Sequence, residues 1–161
     1  MAMLALLRTR SDVAPAVARL VLGLIIFPHG LQHAVGLFGG AGFAATMQWM
    51  TGTLHIPAPL AALAIVVEVA APMFLVAGLA GRVAAAGIIG LMLVALSTHT
   101  SNGFFMNWFG ALPSGQEGYE YHLLAIGLAA VVATAGSGAF SLDVMLAQPE
   151  REKGTLLHSA R

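Results

Sequence analysis

The stretch VEVAAPMFLVAGLAGRVAAAGII, residues 67–89, holds one acidic side chain, Glu68, and one basic side chain, Arg82, in an otherwise apolar run. Glycines at 78 and 81 break it near the middle. Two apolar helical segments therefore meet at a tight turn. Working outward, a further apolar run lies on either side. Crossing a bilayer takes about 20 helical residues. Four stretches are long enough: 20–38, 58–79, 83–100 and 121–138. Short connections favour antiparallel neighbours. The predicted fold is an all-α integral membrane protein, a four-transmembrane-helix up-down bundle. Residues 1–143 form its membrane domain, and 144–161 a polar cytoplasmic tail.

Composition agrees. The 161-residue chain is 58% hydrophobic and 9% charged, with a mean hydropathy of +0.86. A soluble domain is roughly one quarter charged. A chain this short could not bury so much apolar surface in a water-facing fold. The expected environment is a lipid bilayer. The formal net charge is zero and no basic run occurs, which gives nucleic acid nothing to bind. There are no cysteines, so the chain offers no disulfide and no thiolate.

Basic residues set the expected direction. Arg8, Arg10 and Arg19 precede the first span, Arg82 lies in the turn, and Arg151, Lys153 and Arg161 follow the last span. Loops 39–57 and 101–120 contain no Lys or Arg. The positive-inside rule predicts both termini in the cytoplasm. AGFAATMQWMTG (41–52) and NGFFMNWFGALP (102–113) face outward in this topology. Their aromatic residues suit membrane-interface caps with short interfacial helices.

The ionisable groups collect at the outer half. His29 lies about 13 Å into the first span, at 1.5 Å per residue, and Glu68 about 15 Å from the outer face. His33 is one helical turn beyond His29 and is expected on the same face. His99 closes the third span; Glu120 and His122 open the fourth, with Asn102 in the loop before it. No such cluster is expected at the inner end. Pro72 has no N–H, which frees the Glu68 carbonyl. Unsatisfied carbonyls at membrane depth need a partner, so a polar cavity is expected there. A charge at mid-bilayer costs at least about 2.5 kcal/mol and usually marks function. The expectation is that His29 points into the bundle beside Glu68.

Five segments resemble the DoxX family, in order: RLVLGLIIFPHGLQHAVGLFGGAGF (19–43), VEVAAPMFLVAGLAGRVAAAGII (67–89), THTSNGFF (98–105), GYEYHLL (118–124) and GSGAFSLD (136–143). The resemblance implies a small four-span protein of the bacterial inner (plasma) membrane. It also implies association with quinone-linked redox systems or other membrane oxidoreductase complexes. His29, Glu68 and Glu120 fall on family motif positions. His33 departs from the pattern, since many relatives carry Lys there.

Three functions follow as expectations. The first is a redox subunit binding quinone or quinol, with Glu68 and His29 as catalytic groups and His33, His99, Glu120, His122 and Asn102 as ligand-binding groups. Quinone oxygens need hydrogen-bond partners and a proton route. No fingerprint for a flavin, nicotinamide or iron–sulfur centre is present, so electrons would pass through a partner redox protein. A homo-oligomer is left open. The second is a non-catalytic accessory or small-molecule-binding membrane protein. The third is a transition metal or haem held by His29, His33, His99 and His122, whose imidazoles suit such ions.

Overall fold

The structure is a computed structural model and describes residues 9–113 and 115–147. Helix α1 is Val13–Val35, α2 Gly42–Gly52, α3 Ala58–Ala77, α4 Gly81–His99 and α5 Glu120–Ala135. Single 3-10 turns, Leu37–Gly39 and Thr100–Asn102, follow α1 and α4. No strand occurs among the described residues. α1, α3 and α4 with its 3-10 extension are long and apolar enough to cross a membrane. α5 is apolar but shorter, at 16 residues.

The four long helices form a closed ring in the order α1, α3, α4, α5. α2 packs against both α1 and α3, a short helix where one was expected in 41–52. The described residues of the other loop, 103–113 and 115–119, carry no α-helix. α5 stops at Ala135 because Gly136 takes φ 90°, ψ −168°. The fourth apolar helix is therefore shorter than the 121–138 read from hydropathy. Of the expected tail, residues 144–147 continue a short helical turn, and 148–161 lie outside the described residues.

The core is built from small and medium side chains: Leu22 and Ile26, Ala71 and Leu75, Ala85 and Ile88, Ala129 and Val132. Small residues let helix backbones approach closely. Large apolar side chains such as Leu24, Leu60, Val66, Leu93 and Leu124 point outward. That inversion of the water-soluble pattern suits a lipid surround.

One end of the bundle is closed by charge. Arg19 is 1% exposed, although hydropathy reads it as a flanking residue. Its Nε donates to the Ser137 carbonyl at 2.7 Å, and its two terminal nitrogens donate to those of Leu75, Val76, Ala139 and Phe140 at 2.7–3.1 Å. Leu75 and Val76 belong to the last turn of α3, where helical donors run out; the Leu75 carbonyl also accepts the Gly78 N–H at 3.1 Å. Asp143, also 1% exposed, accepts from the Ala80 and Gly81 N–H groups at the start of α4. The Ser137 hydroxyl donates to the same carboxylate. Arg82 donates to the carbonyls of Ala133 and Thr134, which end α5. Cations at helix C-termini and an anion at an N-terminus each follow the helix dipole. Gly78 makes the clasp possible. Its φ is +68°, and a Cβ there would collide with Ser141.

This clasp corrects the expectation that ionisable groups gather at one end only. Arg19→Met, which takes a donor from five carbonyls and strands those with no other partner, is expected to cost about 3–5 kcal/mol, as breaking a buried ionic cluster does. Arg19→Lys has three donors for five acceptors and should fall between Met and wild type. Thermal unfolding in detergent micelles measures both; an unchanged midpoint in Arg19→Met would show that the clasp contributes nothing.

Candidate functional site

Where α1 crosses α3, Gly30 is the point of contact. A Cβ on Gly30 would overlap the backbone carbonyl of Glu68. This is the carbonyl that Pro72 deprives of its helical donor. The α1 backbone lies against it. Gly30 thus sets the angular position of everything near it on α1. Residue i+3 shares its face, and that residue is His33.

His33 Nδ1 lies 2.5 Å from Glu68 Oε2. The Glu68 side chain is 10% exposed and the His33 side chain 32%. His33, not His29, is therefore the partner of the buried carboxyl. His29 precedes Gly30 by one residue and is turned about 100° around the helix. It is exposed, and its ring centroid lies 6.3 Å from that of Tyr121 on α5. Tyr121 packs against the helix core and lies within electrostatic range of Glu68.

With Nδ1 committed to Glu68, His33 keeps Nε2 for another partner. The ring lines a cavity of about 230 Å³ between α1 and α2, with Gln32, Gly40, Ala41, Ala45, Thr46 and Trp49. The Gln32 amide nitrogen is held by the Phe38 carbonyl at 3.1 Å, which leaves its amide oxygen as an acceptor. Thr46 is buried. The cavity therefore combines imidazole, amide and hydroxyl groups with an indole face, next to a buried carboxyl.

The other predicted site residues go elsewhere. His99 and His122 pack ring to ring at 4.8 Å. His99 Nδ1 donates to the Ala95 carbonyl at 2.9 Å, and His122 Nδ1 is buried without a hydrogen-bond partner. Glu120 clasps the loop: its Oε1 accepts from the Met106 N–H at 2.8 Å and from the Trp108 indole at 2.5 Å. Asn102 spans the same loop, donating to the carbonyls of Gly115 and Glu117. The four histidines offered as metal ligands separate into three places. Among the described residues no group of three or more His, Cys, Asp or Glu is arranged to hold a metal ion.

Residue-by-residue reading missed Gln32, Thr46, Trp49 and Tyr121. Gln32 and Tyr121 each adjoin a singled-out residue and are polar inside or beside apolar runs, which is a usable signal. Thr46 and Trp49 carry none, because only the fold of α2 back onto α1 brings them to His33. The role of Glu120 yields a direct check. In a Trp49→Phe background, Trp108 is the sole tryptophan of the two in the chain. Glu120→Ala is then expected to shift Trp108 emission and speed proteolysis of loop 103–119. Unchanged emission and cleavage would show that the clasp does not order the loop.

A family model, DoxX, matches residues 14–101, the segment that contains α1 to α4 and both members of the His33–Glu68 pair. Comparison with curated proteins and with solved structures returns no match. The match covers more than half of the chain and agrees with a helical bundle of long apolar spans; this protein belongs to the DoxX family.

Proposed function

We propose that this chain is a membrane subunit of a quinone-linked redox system, with the His33–Glu68 pair as its proton-handling site. The observation that carries the reading is the 2.5 Å contact between an imidazole and a mostly buried carboxyl at the wall of a cavity that Gln32 and Thr46 also line. An isolated charge at that depth would be costly, and pairing relieves the cost. A quinone head presents two carbonyl oxygens on a flat ring. His33 and Gln32 suit the oxygens, and Trp49 suits the ring face.

In this reading His33 Nε2 meets a ring oxygen. Oxidation of a quinol releases two electrons and two protons; the electrons pass to a partner redox protein. His33 accepts the two protons one after the other at Nε2, passing the first to water at the cavity mouth before it takes the second, and Glu68 balances each resulting charge through Nδ1. His29, the expected catalytic partner, has no place in this pair. Orientation belongs to the same proposal. Both termini face the cytoplasm, and α2 and the cavity lie at the outer surface, following the basic-residue asymmetry.

Two experiments test these statements. Trp49 lines the cavity, so in a Trp108→Phe background its quenching by added tetramethylbenzoquinone reports occupancy. Saturable quenching that weakens in His33→Ala supports the reading. Glu68→Gln is expected to keep the shape and binding but slow quinone-linked turnover in native membranes about a hundredfold, the usual contribution of an acid–base group. Full turnover in Glu68→Gln would discard the relay. Wild-type Trp49 that is never saturably quenched favours a non-catalytic accessory role. For orientation, the chain lacks cysteine, so Gly110→Cys and Met145→Cys give clean labelling sites. Position 110 is expected to react with an impermeant thiol reagent from outside and position 145 only from the cytoplasm; the opposite pattern inverts the topology.

A further inference from the structure

His29 is an anomaly in a membrane helix. It lies six residues, or about 9 Å, inside the end of α1, and it is exposed on the outer wall of the bundle. No hydrogen bond to either ring nitrogen is formed among the described residues; the Tyr121 ring stands 6.3 Å away and tilted 57°. Ionisable residues in spans almost always face an interior, a water-filled path or a partner. An unsatisfied imidazole facing hydrocarbon carries a desolvation cost. Something else must satisfy His29 when the protein sits in a bilayer.

The surroundings limit what that is. Tyr121 on α5 stands beside His29 on α1, and it also lines a cavity of about 450 Å³ with Met106, Asn107, Trp108, Glu117, Glu120 and Leu124. Below the two rings the surface is apolar. Ile25, one turn from His29, and Leu124, one turn from Tyr121, are 47% and 66% exposed. Polar groups near the bundle end, followed by an apolar track toward mid-bilayer, fit an amphiphile with a hydrogen-bonding ring and a long tail. They fit a water-soluble ligand poorly, since it would leave the track uncovered.

We propose that His29 and Tyr121 form a lateral docking site for the ring of a lipid-borne quinone or quinol, separate from the His33 cavity. Its tail lies along Ile25 and Leu124. The ring approaches from the bilayer between α1 and α5, and its oxygens meet the His29 imidazole and the Tyr121 hydroxyl. Tyr121 is then the positioning residue that sets the ring near Glu68 from the α5 side. The inference rests on the quinone reading above, but it concerns different residues.

Trp108 lines the larger cavity and reports on this site in a Trp49→Phe background. The probe is ubiquinone with a full isoprenoid tail, premixed into phosphatidylcholine vesicles holding the protein. Saturable quenching of Trp108 is expected. His29→Leu and Tyr121→Phe should each weaken it about tenfold, the effect of losing one hydrogen bond. His29→Gln, which keeps a hydrogen-bonding group, should retain most of the binding. The same substitutions should leave the thermal midpoint and the quenching of Trp49 by tailless tetramethylbenzoquinone unchanged. Trp108 quenching that is unaltered in His29→Leu and Tyr121→Phe, or that rises linearly with quinone without saturating, overturns the lateral site. Loss of Trp49 quenching in His33→Ala is independent of these results, so the two sites stand or fall separately.

Discussion

A guanidinium held by five backbone carbonyls is the interaction on which the rest of this structure depends. Arg19 takes the last carbonyls of α3 and those of the turn after α5. Asp143 closes the same knot onto the start of α4. Each of these groups is needed where lipid or packing excludes water, because helix ends otherwise leave bare polar backbone. The knot therefore satisfies α1, α3, α4 and the 136–143 turn together. It also explains the small and flexible residues of GSGAFSLD, which let the chain wrap around one side chain.

With that end closed, the opposite end is free to specialise. Gly30 lets α1 lie directly on the carbonyl that Pro72 exposes, and that approach fixes which residues of α1 can see α3. His33 is on the contact face and His29 is not. One glycine thus decides which of two similar histidines is paired to the buried Glu68. The intimate crossing also leaves α2 to fold back over the end of α1, which creates the cavity beside His33.

The two ends differ in how their charges are used. Arg19, Arg82 and Asp143 act on backbone groups and complete helices. His33 and Glu68 act on each other and leave one imidazole nitrogen toward a cavity. A fully saturated guanidinium has nothing left to offer a ligand, whereas the His33 imidazole keeps one nitrogen. Glu120 and Asn102 also spend hydrogen bonds on the chain itself, on loop backbone and an indole.

Much of the architecture was legible in the sequence. Apolar run lengths and the break at Gly78–Gly81 suffice for a bundle of antiparallel apolar helices, because bilayer thickness imposes a length that composition alone reveals. Glu68 stood out for the same reason: a carboxyl in such a run is costly wherever it points. What the sequence could not decide was direction around each helix axis. His29 and His33 differ by about 40° on a helical wheel, and only the Gly30 contact turned one toward Glu68 and the other outward. Arg19 was read as a flank because hydropathy counts charge without knowing how many carbonyls surround it. Those carbonyls come from residues 75–76 and 137–140, far away in the chain. Their convergence is a property of the folded bundle, and so is the conversion of an expensive buried charge into the clasp that holds it.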